Sequence, residues 1–75
     1  MPKLPSVTGQ EAIAAFGRVG FKLDRVTGSH HILIKDGHRF HLSVPVHGQK
    51  PLRPGLLRKL IHNADLTVEQ FISLL

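Results

Sequence analysis

The chain contains no cysteine, no tryptophan and no tyrosine, one methionine, and only five acidic residues. Without cysteine there are no disulfides, no thiolate metal sites and no cysteine nucleophile, a composition compatible with a reducing compartment. So few acids leave no acidic cage for a divalent cation. Uninterrupted apolar runs are far shorter than the ~20 residues that span a bilayer. No segment is both strongly amphipathic and rich in Lys and Arg, which disfavours a lipid surface as partner. The opening Met-Pro-Lys-Leu-Pro lacks the apolar stretch of a secretory signal. The reading is a soluble, cytoplasmic protein with no membrane association.

Its 75 residues make one domain, residues 1–75. A chain of this size buries only about 60–65% of its unfolded surface, so its core is thin. A deep lidded pocket is not expected; a shallow surface site, or one completed by a partner, is. Ten Lys and Arg against five Asp and Glu give a formal charge of +5, and six histidines add to it below neutrality. An excess of this kind favours polyanions, nucleic acid first among them. The bland alternative is a basic protein with no polyanionic partner.

The order of elements follows from local signals. Residues 1–7 hold two prolines and read as an extended lead-in. Thr8-Gly9-Gln10-Glu11 is a capping box that opens a short helix over about 9–18, with Ile13, Phe16 and the flanking alanines inward. Residues 21–27 read as a first strand and 30–35 as a second, joined by Gly28-Ser29. Asp36-Gly37 signals a two-residue hairpin turn, and residues 38–44 alternate cleanly, with Phe40, Leu42 and Val44 on one face. A proline-bearing loop over 46–55 leads to a helix that carries an apolar stripe over 56–61 and ends near Asn63. A second capping box, Thr67-Val68-Glu69-Gln70, opens a terminal helix with Val68, Phe71, Ile72 and Leu75 inward. Helix, three-stranded antiparallel meander, helix and short helix make an α+β domain: one sheet, helices on one side, the other face open.

The candidate site residues cluster around Gly28-Ser29-His30-His31. Histidine is the side chain whose ordinary pKa, ~6.5, lets it take and give a proton near neutrality. If Ile32 and Ile34 join Phe40, Leu42 and Val44 in the core, strict alternation sends His30 inward. His31, Lys35, Arg39 and His41 then share the open face. His38, beside the hairpin turn, and His62, late in a helix, read as solvated, His62 complementing the helix dipole. His47 lies in a loop that can fold beside the sheet. Lys50 and Arg53 lead into a helix N-terminus, whose free amides favour an anion, and Arg58 and Lys59 extend the positive strip. Metal binding by His31, His41 and His47 is a weaker reading, since no helical His spacing supports it. Ser29 lacks a nucleophile elbow and reads as a turn residue that orients His30.

Gly20-Phe21, Gly28-Ser29-His30-His31, Val44-Pro45-Val46-His47, Lys50 and Pro54-Gly55-Leu56-Leu57-Arg58-Lys59-Leu60-Ile61 stand in the order and spacing of HicA-type (YcfA-like) toxins. Residues 64–71 resemble that family's closing segment, and the likeness runs from about residue 8 to 75. The resemblance implies a fold like the double-stranded-RNA-binding domain. It also implies an mRNA interferase that blocks translation and is held by a HicB-type antitoxin. It places the catalytic histidine in the GSHH motif, at His30 or His31, with the commoner Gly-Ser-His pattern favouring His30. The face argument favours His31. No metal or other cofactor is expected, and the free protein is expected to be a monomer. The chemistry would be deprotonation of a ribose 2′-OH, with Lys35, Arg39, Lys50 or Arg53 on the phosphate. A non-catalytic RNA-binding module of the same fold is the alternative.

Overall fold

The computed structural model describes residues 3–75, so Met1 and Pro2 of the expected lead-in lie outside it. The elements are α1 (Gly9–Gly17), β1 (Lys22–Thr27), β2 (His30–Ile34), β3 (Leu42–Pro45), α2 (Pro54–Asn63) and α3 (Val68–Ile72). The strands form one antiparallel sheet in the order β1-β2-β3, which makes the domain α+β as expected.

Both capping boxes form. The Glu11 amide donates to Thr8 Oγ1 at 3.2 Å, and the Thr8 amide donates to Glu11 Oε1 at 2.9 Å. Thr67 and Gln70 repeat the exchange at the start of α3. Each box satisfies two amides that a helix start leaves without partners. α1 turns Ala12, Ala15 and Phe16 into the core, where Phe16 packs on Phe71 with ring centroids 5.2 Å apart. Leu33 and Leu42 from the sheet and Leu57 and Ile61 from α2 complete the largest fully buried side chains with Val44. On the terminal helix the expected inward face is corrected: Phe71 is buried, but Ile72 and Leu75 are exposed. α3 ends at Ile72, so Leu75 lies past the helix, and half-buried Leu74 packs on the core instead.

Both α1 and α2 pack on β3, and all six residues of β1 are exposed. The approach of α1 to β3 is close enough to require a glycine. A Cβ on Gly9 would collide with the Pro45 carbonyl oxygen and press on the Val46 side chain. The lead-in is tied down as well: the Leu52 amide donates to the Val7 carbonyl at 2.8 Å, and Thr8 bridges Pro51.

The second hairpin departs from expectation. Asp36-Gly37 does turn the chain, with the His38 amide donating to the Lys35 carbonyl at 3.0 Å. Strand pairing, however, resumes only where Leu33 meets Leu42, so the third strand is shorter than residues 38–44. The physical reason lies in His38. Its Nε2–H donates to the Asn63 carbonyl at the end of α2 over 2.6 Å, and its ring stands edge-on to Phe21 at 5.1 Å. A side chain expected to be solvated is thus 9% exposed, and Nδ1 faces the Asp65 carboxylate at 3.8 Å. Drawing residue 38 toward α2 keeps its neighbours off the ladder. Phe40, expected in the core, lies outside β3 and is exposed.

The faces of β2 are also reversed. Directly opposed residues of an antiparallel pair share a face. Leu33 stands opposite Leu42 and His31 opposite Val44. With Leu42 and Val44 in the core, Leu33 and His31 must point to the helix side. His30, Ile32 and Ile34 take the open face, flanked there by Thr27, Arg25 and Lys22 of β1. The run from Ile32 to Ile34 is apolar on both faces, so its alternation carries no phase.

Candidate active-site cleft

The cleft begins at the turn between β1 and β2. Thr27 and His30 are opposed across the two residues Gly28 and Ser29. Gly28 has φ +61°, whereas Ser29 is not among the residues of positive φ, which is the pattern of a type II′ hairpin turn. Such a turn spends no extra residue, so His30 is the first residue of β2 and stands exposed at the rim of the sheet.

On its other side His30 is opposed to Pro45 of β3. The pairing continues one step further, because the Val46 amide donates to the Ser29 carbonyl at 2.8 Å. The GSHH and VPVH segments therefore lie side by side. His47 then opens a turn closed by the Lys50 amide donating to the His47 carbonyl at 3.1 Å. Fastened to the lead-in at Pro51 and Leu52, the chain turns again and starts α2 at Pro54.

These segments enclose an open cleft of about 320 Å³. Its polar lining is His30, His47, Lys50 and Arg53, and Pro45, Pro51, Leu52 and Leu56 form its apolar walls. Arg53 is the N-cap of α2 and gives no side-chain capping bond. The first-turn amides of α2 therefore have no side-chain acceptor and remain available to an anion beside the two cations. Two imidazoles, a guanidinium, an ammonium and a helix N-terminus on one shallow surface are suited to a phosphodiester.

A second shallow cleft of about 240 Å³ lies on the other side of Leu56. His41, Ser43, Lys59 and Asn63 supply its polar groups. Since Leu56 lines both, the two form one strip along the seam between β3 and α2.

The remaining candidates do not join this strip. Lys35 lies just past the far end of β2, roughly 16 Å from His30 at 3.3 Å per residue. Its Nζ sits over the Phe21 ring, 5.6 Å from the centroid. Arg39 is stacked on Phe40 at 5.3 Å in the same loop region. Arg58 is exposed on α2 but lines neither cleft. The expected surface of His31, Lys35, Arg39 and His41 on one open sheet face is therefore not formed. His31 in particular is half-buried on the helix side, between Val26 and Val44 across the two ladders, and its Nδ1 is buried without a hydrogen-bond partner. The adjacent histidines part company: His30 faces the cleft, His31 the core. Arg18, the one cation near the end of α1, donates to the Leu74 carbonyl at 2.5 Å.

Sequence reasoning missed the apolar walls. Pro45 carried a signal as the residue that ends β3. Leu52 carried none, since its burial depends on contacts with Val7 more than forty residues away in sequence. Among the described residues no group of three His, Asp or Glu side chains is placed to hold a metal ion. No described helix is long and apolar enough to cross a membrane.

Against known families, a model described as the HicA toxin of bacterial toxin–antitoxin systems matches residues 9–66. That stretch holds the whole sheet, both clefts, α1 and α2. No curated protein matches the chain.

Proposed function

This chain belongs to the HicA family of toxins from bacterial toxin–antitoxin systems, and from that premise we propose that it is a metal-independent endoribonuclease that cleaves mRNA and so blocks translation. The observation that carries the proposal is the single cleft in which exposed His30 meets Lys50, Arg53 and the uncapped start of α2.

In this mechanism the phosphodiester lies against Lys50, Arg53 and the α2 amides. These groups offset the charge that grows on its non-bridging oxygens. His30 takes the proton of the adjacent ribose 2′-OH, and the 2′-oxygen attacks phosphorus. The P–O5′ bond breaks, leaving a 2′,3′-cyclic phosphate and a 5′-hydroxyl. A positioned base of this kind is worth ~10²–10⁴ in rate. DNA, which lacks the 2′-OH, is not a substrate. His41 and Lys59 bind the strand next to the reacting phosphate.

The family also brings an antitoxin partner. We assign it to the HicB type and place it over this cleft, where it excludes RNA from the basic surface. The free toxin acts as a monomer in the cytoplasm.

The test is expression of wild type, His30→Ala and His31→Ala in a bacterial host, with growth and intact mRNA as readouts, followed by cleavage assays on purified protein. Wild type and His31→Ala should arrest growth and degrade RNA, with EDTA making no difference, and His30→Ala should do neither. RNA left whole by the wild type, with binding retained in all three proteins, would replace the nuclease by an RNA-binding module. Equal cleavage of DNA would rule out attack by the 2′-oxygen.

A further inference from the structure

We infer that His47 is the proton donor to the leaving 5′-oxygen, acting opposite His30 in the same cleft. This inference rests on the cleft being a ribonuclease site and adds a second catalytic residue to it.

The argument starts from what the reaction needs. When the 2′-oxygen attacks, O5′ must depart, and an alkoxide leaves slowly unless a proton reaches it as the P–O5′ bond breaks. The cleft offers four polar side chains: His30, His47, Lys50 and Arg53. Arginine does not release its proton in a protein, and lysine ordinarily holds its proton far above neutral pH. Once His30 is assigned to the 2′-OH, His47 is the one remaining side chain of a type that gives a proton near neutrality.

The backbone brings the two histidines near each other, diagonally across one antiparallel pairing. Ser29 and Val46 are joined by the 2.8 Å bond from the Val46 amide to the Ser29 carbonyl. His30 follows the first of these residues and His47 the second. His30 is itself opposed to Pro45, which lies two residues before His47 and lines the same cleft. Both side chains belong to exposed residues, and a space of about 320 Å³ accepts a phosphodiester with parts of its two sugars. His47 is further held by the turn that its carbonyl closes with the Lys50 amide.

The step balances. The proton of the 2′-OH passes to His30 as the O2′–P bond forms. The P–O5′ bond breaks with its electron pair on O5′, and His47 gives that oxygen a proton. His30 ends protonated and His47 neutral, and exchange with water restores both. The charged side chains that line the cleft with the pair are Lys50 and Arg53.

The test uses the full chain and two oligoribonucleotides that differ in one atom. One has an ordinary linkage; in the other, sulfur replaces the bridging 5′-oxygen, so that the leaving thiolate needs no proton. His47→Ala should cleave the ordinary linkage ~10²–10⁴ more slowly than wild type and the sulfur-bridged linkage nearly as fast. His30→Ala should be slow on both. In wild type kcat/KM should pass through a maximum with pH, and His47→Ala should lose the high-pH fall, which reports the acid. His47→Gln, which keeps a hydrogen-bonding group but gives up no proton, should behave as His47→Ala does, and matching thermal melts would show both variants folded. Equal losses on the two linkages would make His47 a phosphate ligand and overturn the inference, as would full activity of His47→Ala on the ordinary linkage. A wild type that cleaves neither substrate would instead bring down the ribonuclease reading itself.

Discussion

Replacing His31 by leucine should stabilise this protein without reducing the ribonuclease activity proposed for it. His31 lies on the core side of β2, with Val26 and Val44 as its cross-strand neighbours, and its Nδ1 is buried with no partner. A buried polar atom left unpaired costs ~1–3 kcal/mol, the desolvation it underwent without a return. Leucine removes that atom and keeps a side chain of similar bulk. It also converts two mixed cross-strand pairs into apolar ones, each worth roughly 0.2–1 kcal/mol. A net gain of about 1 kcal/mol is the conservative sum, and in a domain of this size each 1 kcal/mol raises Tm by about 4–8 °C.

The assay is thermal unfolding in a His30→Ala background, which spares the expression host, with cleavage measured separately in the protein that retains His30. The expected result is a higher Tm and undiminished cleavage. A lower Tm would show that the imidazole has a favourable role in the fold, refuting the desolvation argument. A folded His31→Leu protein that no longer cleaves RNA would move the catalytic role from His30 to His31 and refute the division of the pair into a cleft residue and a core residue.

Other consequences follow from the same contacts. Lys50→Ala and Arg53→Ala should each weaken RNA binding by roughly tenfold or more, as expected for a charged hydrogen bond of ~1.5–3 kcal/mol. Each should also lower the slope of log K against log salt by about one, whereas Lys35→Ala and Arg39→Ala should change both little. Equal effects of all four in a salt titration would mean that RNA is held by overall charge and not in the cleft. His38→Ala loses the bond to the Asn63 carbonyl and the edge contact with Phe21. A cost of ~1.5–3 kcal/mol follows, and an unchanged midpoint in urea unfolding would refute the structural role given to that ring. Gly9→Ala should destabilise by about 1–3 kcal/mol through its collision with the Pro45 carbonyl, although alanine is the better helix former. Stabilisation on calorimetry would show that α1 can move off β3.

What could be read from the sequence was what neighbouring residues decide among themselves. Thr8 with Glu11 and Thr67 with Gln70 announce their helices within four residues, and each box forms. Gly28-Ser29 announces its turn in two residues, and with it the rim position of His30. The errors arise where the answer depends on a distant partner. His38 reads as a solvated neighbour of a turn because Asn63 and Phe21, which capture its ring, lie far along the chain. His30 and His31 are adjacent on one strand, so they must point to opposite faces, and neither residue can decide which. The decision is made by the ladder, where Leu33 opposes Leu42 and commits the odd-numbered residues of β2 to the core. Leu42 is in turn held inward with Val44 under the helices that pack on β3. A motif whose local turn is legible in four residues therefore receives its chemical orientation from the strand beside it. That dependence is why the Gly-Ser-His pattern points to His30 while the alternation of the strands points to His31.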